Sequence, residues 1–156
     1  MLYTPHSIIG ASIAYVFPNP FVALPLSFVS HFLFDVAPHS NPSPRKSNKI
    51  MKLIMLFEII IGTALLLLFS KAIAKDIYQF YLMVASGLIA NLPDFLMIPY
   101  VILKKNCKLC KEITLFQKLI QTHVPGKWGY TIQIAFILLL FWSFLDKLIP
   151  YFGQIL

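Results

Sequence analysis

Residues 50–70, IMKLIMLFEIIIGTALLLLFS, form an apolar run in which Lys52 and Glu58 are the charged positions. At about 1.5 Å of rise per residue, a helix of this length matches the hydrocarbon thickness of a bilayer, roughly 30 Å. The run therefore reads as a transmembrane helix, and its neighbours extend the pattern. Residues 77–103 return as a longer span that Pro93 and Pro99 are expected to kink, and residues 129–150 make a last span. Toward the N-terminus, residues 6–17 stop at Pro18-Asn19-Pro20, and residues 21–37, FVALPLSFVSHFLFDVA, stop at Pro38. Each is shorter than a comfortable span of about 20 residues, so the pair is either two tilted spans or a re-entrant hairpin. Residues 38–49, PHSNPSPRKSNK, are polar and proline-rich, which marks a loop. Residues 104–128 are a basic loop, within which EITLFQKLIQTH (112–123) carries apolar residues at helical spacing that suit a membrane surface.

Composition supports this reading. A chain of 156 residues with 58% hydrophobic and 12% charged residues, and a mean hydropathy of +0.77, is too apolar for a soluble globule. The sequence predicts one all-α domain over 1–156, an integral membrane bundle of about four to five helices, the first two short. MLYTPHSIIG has no Lys or Arg ahead of its apolar stretch, so the first helix is expected to be retained rather than cleaved.

The net charge of +7 is concentrated in two places. Arg45, Lys46, Lys49 and Lys52 surround the first loop, and Lys104, Lys105, Lys108, Lys111, Lys118 and Lys127 lie in the second. Basic loops flanking one helical hairpin follow the positive-inside pattern, which places 38–49 and 104–128 in the cytoplasm of a multi-pass inner-membrane protein. The excess charge is read as topology first and attraction of anionic lipid headgroups second, in preference to nucleic-acid binding.

Against this background His31, Asp35, Glu58 and Asp94 stand out, because an ionisable side chain in hydrocarbon is costly and usually faces the bundle interior. Counting rise from the cytoplasmic ends puts His31 about 9 Å, Glu58 about 12 Å and Asp94 about 13 Å inside. His31 and Asp35 share a helix face, and His39 continues the spacing at the mouth. Imidazole with carboxylate is a common ligand set for zinc and other divalent ions; the alternative is a hydrogen-bonded pair that only joins helices. Asp94 follows Pro93, and shares a face with Gly87, Ala90 and Asn91 that suits close packing. Pro93 leaves a nearby carbonyl free for another donor. Asp94 is a candidate ligand or a kink-stabilising group. Glu58 is a candidate general base or a neutral hydrogen-bonded acid. His6, near Gly10 and Ala14, can reach the cluster or remain an exposed terminal residue. His123 and Gln133 are weaker candidates, as a leaning surface group and an orienting group. Cys107-x-x-Cys110 has neither zinc-site nor thioredoxin context, and a cytoplasmic position favours free thiols.

Thr4-Pro5-His6, Ser30-His31-x3-Asp35-x2-Pro38-His39 and Leu92-Pro93-Asp94 together resemble motifs of the YdjM-type membrane-bound metal-dependent hydrolases. The resemblance covers mainly residues 4–39 and 86–99. It implies a metal-ligand role for His6, His31, Asp35, Asp94 and His39. The family's second Asp after Pro-Asp is Leu96 here, and of a later His pair only His123 is found. The resemblance implies hydrolysis of an ester or phosphoester. A lipid or lipid-linked phosphate entering from the cytoplasmic leaflet would be the substrate, with zinc bound and Glu58 assisting. A metal or proton relay and a non-catalytic scaffold are the competing readings.

Overall fold

The computed structural model describes residues 2–39, 49–101, 103–122, 124 and 127–153, and all of its regular structure there is helical. The helices are α1 (Tyr3–Val16), α2 (Pro20–Asp35), α3 (Lys49–Ile73), α4 (Ile77–Ala90), α5 (Leu92–Val101), α6 (Lys108–Ile120), α7 (Lys127–Ser143) and α8 (Leu145–Gly153). The all-α expectation holds. The count of four to five does not, because two predicted spans break and the second basic loop contains α6. Leu53–Ile73 and Ile77–Tyr100, 21 and 24 residues, are long and apolar enough to cross a membrane. A third crossing is available if Trp128–Ser143 and Leu145–Tyr151, bent by 73°, act as one span. Pro20–Asp35 is apolar but shorter.

Local chemistry sets the ends of several helices. The Asn19 side chain accepts from Phe21 N at 2.9 Å, and Pro20 supplies the fixed φ that suits a first helical position. Asp76 accepts from Gln79 N at 2.7 Å, while Gln79 Oε1 reaches back to Lys75 N at 2.9 Å. Gln79 Nε2 also donates to Tyr15 O at 3.2 Å, which ties the start of α4 to the end of α1. The break between α4 and α5 belongs to Pro93, which has no N–H to give. Beyond it Asp94 N bonds to Asn91 O at 3.1 Å rather than one residue further back, which leaves the Ala90 carbonyl outside the helical ladder.

Helix α1 is the centre of the bundle, packed against α2, α3, α4 and α7. Every residue from Tyr3 to Ala11 is buried. Small residues allow this close packing. A Cβ on Gly10 would run into the Ser86 carbonyl and stand 2.9 Å from Ala90 Cβ; one on Gly87 would meet Leu66 and, at 2.8 Å, the Ser7 carbonyl. The apolar core around Ile8, Ala11, Leu66, Phe69 and Met83 lies deeper, away from the polar end of α1. The largest apolar side chains often point outward instead. Phe57 and Ile61 on α3, and Leu138 and Trp142 on α7, are more than half exposed, as lipid-facing helices require.

Candidate metal centre

Five side chains converge at the end of the bundle where α1 and α5 begin and α2 and α4 finish. His6 comes from the second turn of α1, His31 and Asp35 from one face of α2, His39 from just beyond α2, and Asp94 from the first turn of α5. His6 Nε2 lies 3.2 Å from Asp35 Oδ1, His31 Nε2 3.5 Å from Asp35 Oδ2, and His39 Nε2 3.6 Å from Asp35 Oδ1. Asp94 Oδ1 approaches His31 Nε2 from the other side at 3.5 Å. The His6 and His31 rings stack with centroids 4.1 Å apart. His6, His31 and Asp35 each offer a ligand atom within 4.8 Å of the others, so this buried group could hold a metal ion. His6, His31, Asp35 and His39 are fully buried, whereas the Asp94 side chain is 36% exposed.

A second layer orients these groups. His31 Nδ1 stands 2.7 Å from the Ala90 carbonyl released by the Pro93 break; a carbonyl only accepts, so the ring proton sits on Nδ1 and Nε2 turns its lone pair inward. The expected free carbonyl near Pro93 is therefore present, and a histidine takes it. His39 Nδ1 donates to Ala37 O at 2.7 Å in the same manner. The main chain of His39 is itself held, donating to Thr122 O and accepting from Val124 N, both at 3.2 Å. Asn91 Nδ2 donates to Gly87 O and Ser7 Oγ, both at 2.9 Å, and so pins the helix break to α1.

Two residues that the sequence reading passed over complete the layer. Gln121 Nε2 donates to Asp35 Oδ2 at 2.9 Å. Gln117 Nε2 donates to His31 Nε2 at 2.7 Å and to Asp94 Oδ1 at 3.1 Å, and Gln117 Oε1 is buried without a hydrogen-bond partner. Both come from α6. The signal was available: Gln117 and Gln121 are four apart, continuing a stripe through Thr114 and Cys110 on the side of α6 opposite its exposed Leu and Phe residues.

Glu58 has a different engagement from the one expected. Its oxygens accept from Tyr3 N at 3.0 Å, Thr4 N at 2.9 Å and Thr4 Oγ1 at 2.8 Å, so it caps the N-terminus of α1 from α3. A carboxylate suits the positive end of a helix and satisfies N–H groups that have no partner within it. This engages Glu58 as a structural acceptor at the start of α1. Gln133 Oε1 accepts from Leu2 N at 2.6 Å, which fixes the chain ahead of His6. His123 lies outside the described residues. Cys107 and Cys110, expected as free thiols, are joined by a disulfide across the first turn of α6, where three-residue spacing brings the Cα atoms within 5.2 Å.

No protein-family model matches this chain, and no curated protein or solved structure is significantly similar to it. The geometry stands alone.

Proposed function

We propose that the protein is a membrane-embedded metal-dependent hydrolase of the YdjM type, in which His6, His31 and Asp35 hold one zinc ion. His39 or Asp94 completes the ligand set. The observation that carries this reading is the spacing of the donors. Four ligands at about 2.0–2.1 Å from a tetrahedral zinc stand about 3.3 Å from one another. The His–Asp separations of 3.2–3.6 Å, taken to either oxygen of Asp35 and to Asp94, are near that edge length, and one ligand atom from each of His6, His31 and Asp35 lies within 4.8 Å of the others. The backbone carbonyl behind His31 and the amide behind Asp35 are the outer groups that orient ligands in such sites. Charge supports the same reading, because two carboxylates offset a divalent ion in a place where net charge is expensive.

Bound there, zinc would polarise an ester or phosphoester and make water acidic enough to act as a nucleophile near neutral pH. The chain's own contribution is division of labour. The fully buried His6, His31 and Asp35 bind, while the partly exposed Asp94 meets entering water and can accept its proton. A lipid or lipid-linked phosphate from the cytoplasmic leaflet is the substrate class that a site at one end of an inner-membrane bundle, beside basic segments, would serve.

The test is metal content by elemental mass spectrometry, on detergent-purified protein beside the His31→Ala/Asp35→Ala variant. Near-stoichiometric zinc, lost in a variant that stays monodisperse, is expected, together with loss of phosphoesterase activity. A scaffold reading has one observation in its favour, because Gln117 and Gln121 already give the cluster hydrogen-bond donors. It requires metal-free wild-type protein that cannot be reloaded, and that result would replace the hydrolase reading.

A further inference from the structure

Helix α6 divides its surface three ways, and the arrangement is unusual for a helix packed on a protein. The side it turns to the bundle is polar: Cys110, Thr114 and Gln117 are buried, and Gln121 extends the stripe to Asp35. The side it turns away is apolar, with Leu119 84%, Leu109 61% and Phe116 50% exposed. At 100° per residue, Lys111 and Lys118 fall between these two sides on one flank, while Lys108 and Glu112 lie at the outward side, beside Leu115 and Leu119; all four charged residues are exposed. In water this would be an inverted helix. At a membrane surface each face has a match: hydrocarbon for the leucines, phosphate for the lysines, and the His–Asp cluster for the amides.

The apolar face is also continuous with the outside of the bundle. Phe116 packs edge-on against Phe32 of α2 with ring centroids 5.3 Å apart, and Val29 and Leu33 beside Phe32 are 49% and 66% exposed. Helix α6 sits across the C-terminal end of α2, with its main packing on α5. It therefore crosses a bundle end, where a bilayer surface would lie.

We propose that α6 is an interfacial lid, docked in the headgroup layer of an anionic phospholipid leaflet, with its amide stripe closing the His–Asp cluster and its apolar edge bordering the lipid. This rests on the membrane-hydrolase reading and narrows its substrate: a lipid phosphate would enter beneath α6 from the bilayer, with Lys108, Lys111 and Lys118 favouring a negative headgroup.

The test places a tryptophan on the outward face, Leu119→Trp in a Trp128→Phe/Trp142→Phe background, in full-length protein reconstituted into vesicles. Phe116→Trp serves as a second probe of the same face. The quenchers are phosphatidylcholine and phosphatidylglycerol brominated close to the headgroup or at the acyl terminus. Strong quenching by the shallow label and weak quenching by the deep one is expected. Phosphatidylglycerol should outcompete phosphatidylcholine as quencher. That preference should fall by up to about fivefold for each lysine replaced in Lys108→Gln/Lys111→Gln/Lys118→Gln. Emission indifferent to shallow quenchers overturns the docking, whether water or a second copy of the chain covers the face. A lipid preference unchanged by the lysine variants overturns the anionic assignment. Zinc content measured on the same vesicles separates the two readings. Quenching without zinc fails the hydrolase proposal, and zinc without quenching fails only the lid.

Discussion

Replacing Gly10 with alanine should disable the cluster from a distance. Gly10 is one turn from His6 on the same face of α1. Its missing side chain lets α1 lie on α4 where the Ala90 carbonyl holds His31. A new Cβ would overlap the Ser86 carbonyl and sit 2.9 Å from Ala90 Cβ. Ordinary carbon–carbon contact is about 3.5–4.0 Å, so α1 and α4 must separate locally by about 1 Å. Both contacts are backbone or Cβ atoms, which cannot rotate away. Overpacking of this kind typically costs about 1–3 kcal/mol, which the bundle should survive. A metal site should not, because its ligand distances hold to about 0.2 Å. The expected result is a folded, monodisperse Gly10→Ala protein with a modestly lower melting temperature and little bound zinc. Gly153→Ala is the control, since a Cβ there meets nothing within 4 Å. Elemental mass spectrometry and thermal unfolding in detergent supply the two readouts. Wild-type zinc content and melting in Gly10→Ala would refute the claim that the α1–α4 approach sets the position of His6.

Two further substitutions separate orientation from chemistry. Gln121→Leu removes the amide behind Asp35 and should weaken zinc binding by about 10–100-fold in competition with a chromophoric chelator; an unchanged affinity would mean the amide does not orient that carboxylate. Glu58→Gln puts an NH2 group where the carboxylate now meets backbone N–H groups of α1, so it should destabilise the fold by about 1–3 kcal/mol and leave zinc content intact. Unaltered stability with abolished hydrolysis would restore Glu58 as the base.

Much of this architecture was legible because hydrocarbon imposes simple rules. The length of 50–70 announced a span, the spacing of His31, Asp35 and His39 announced a shared face, and Pro93 announced a released carbonyl. Glu58 is level with the cluster but turned away from it. Counting rise gives depth along a helix but not rotation about it, so a residue level with the cluster can still face the start of α1. The Gln117–Gln121 stripe was missed for a different reason. Apolar periodicity placed α6 on a surface, and nothing in that pattern says that its opposite face covers a site. The bend between α7 and α8 has no Pro or Gly at Phe144 to signal it. The Cys107–Cys110 bond conflicts with the cytoplasmic side that charge favours, since that compartment keeps thiols reduced. The redox state of that pair in isolated membranes is thus a direct reporter of which side α6 faces.

The cluster also constrains how the protein can be made. His6, His31, Asp35 and His39 are all synthesised in the first two helices and the turn after them, but the outer partners of His31 and Asp35 come much later. The carbonyl for His31 follows it by 59 residues, and the amides for His31 and Asp35 follow by 86. Until then the N-terminal hairpin carries imidazoles and a carboxylate that have one another but not their outer hydrogen-bond partners, a polar cluster that lipid penalises. It must wait near the headgroups, or in the insertion machinery, until α4 offers a surface for Gly10 and a carbonyl for His31. A chain truncated before α6 would expose polar groups in the membrane, a lesion that cellular quality control is well placed to detect.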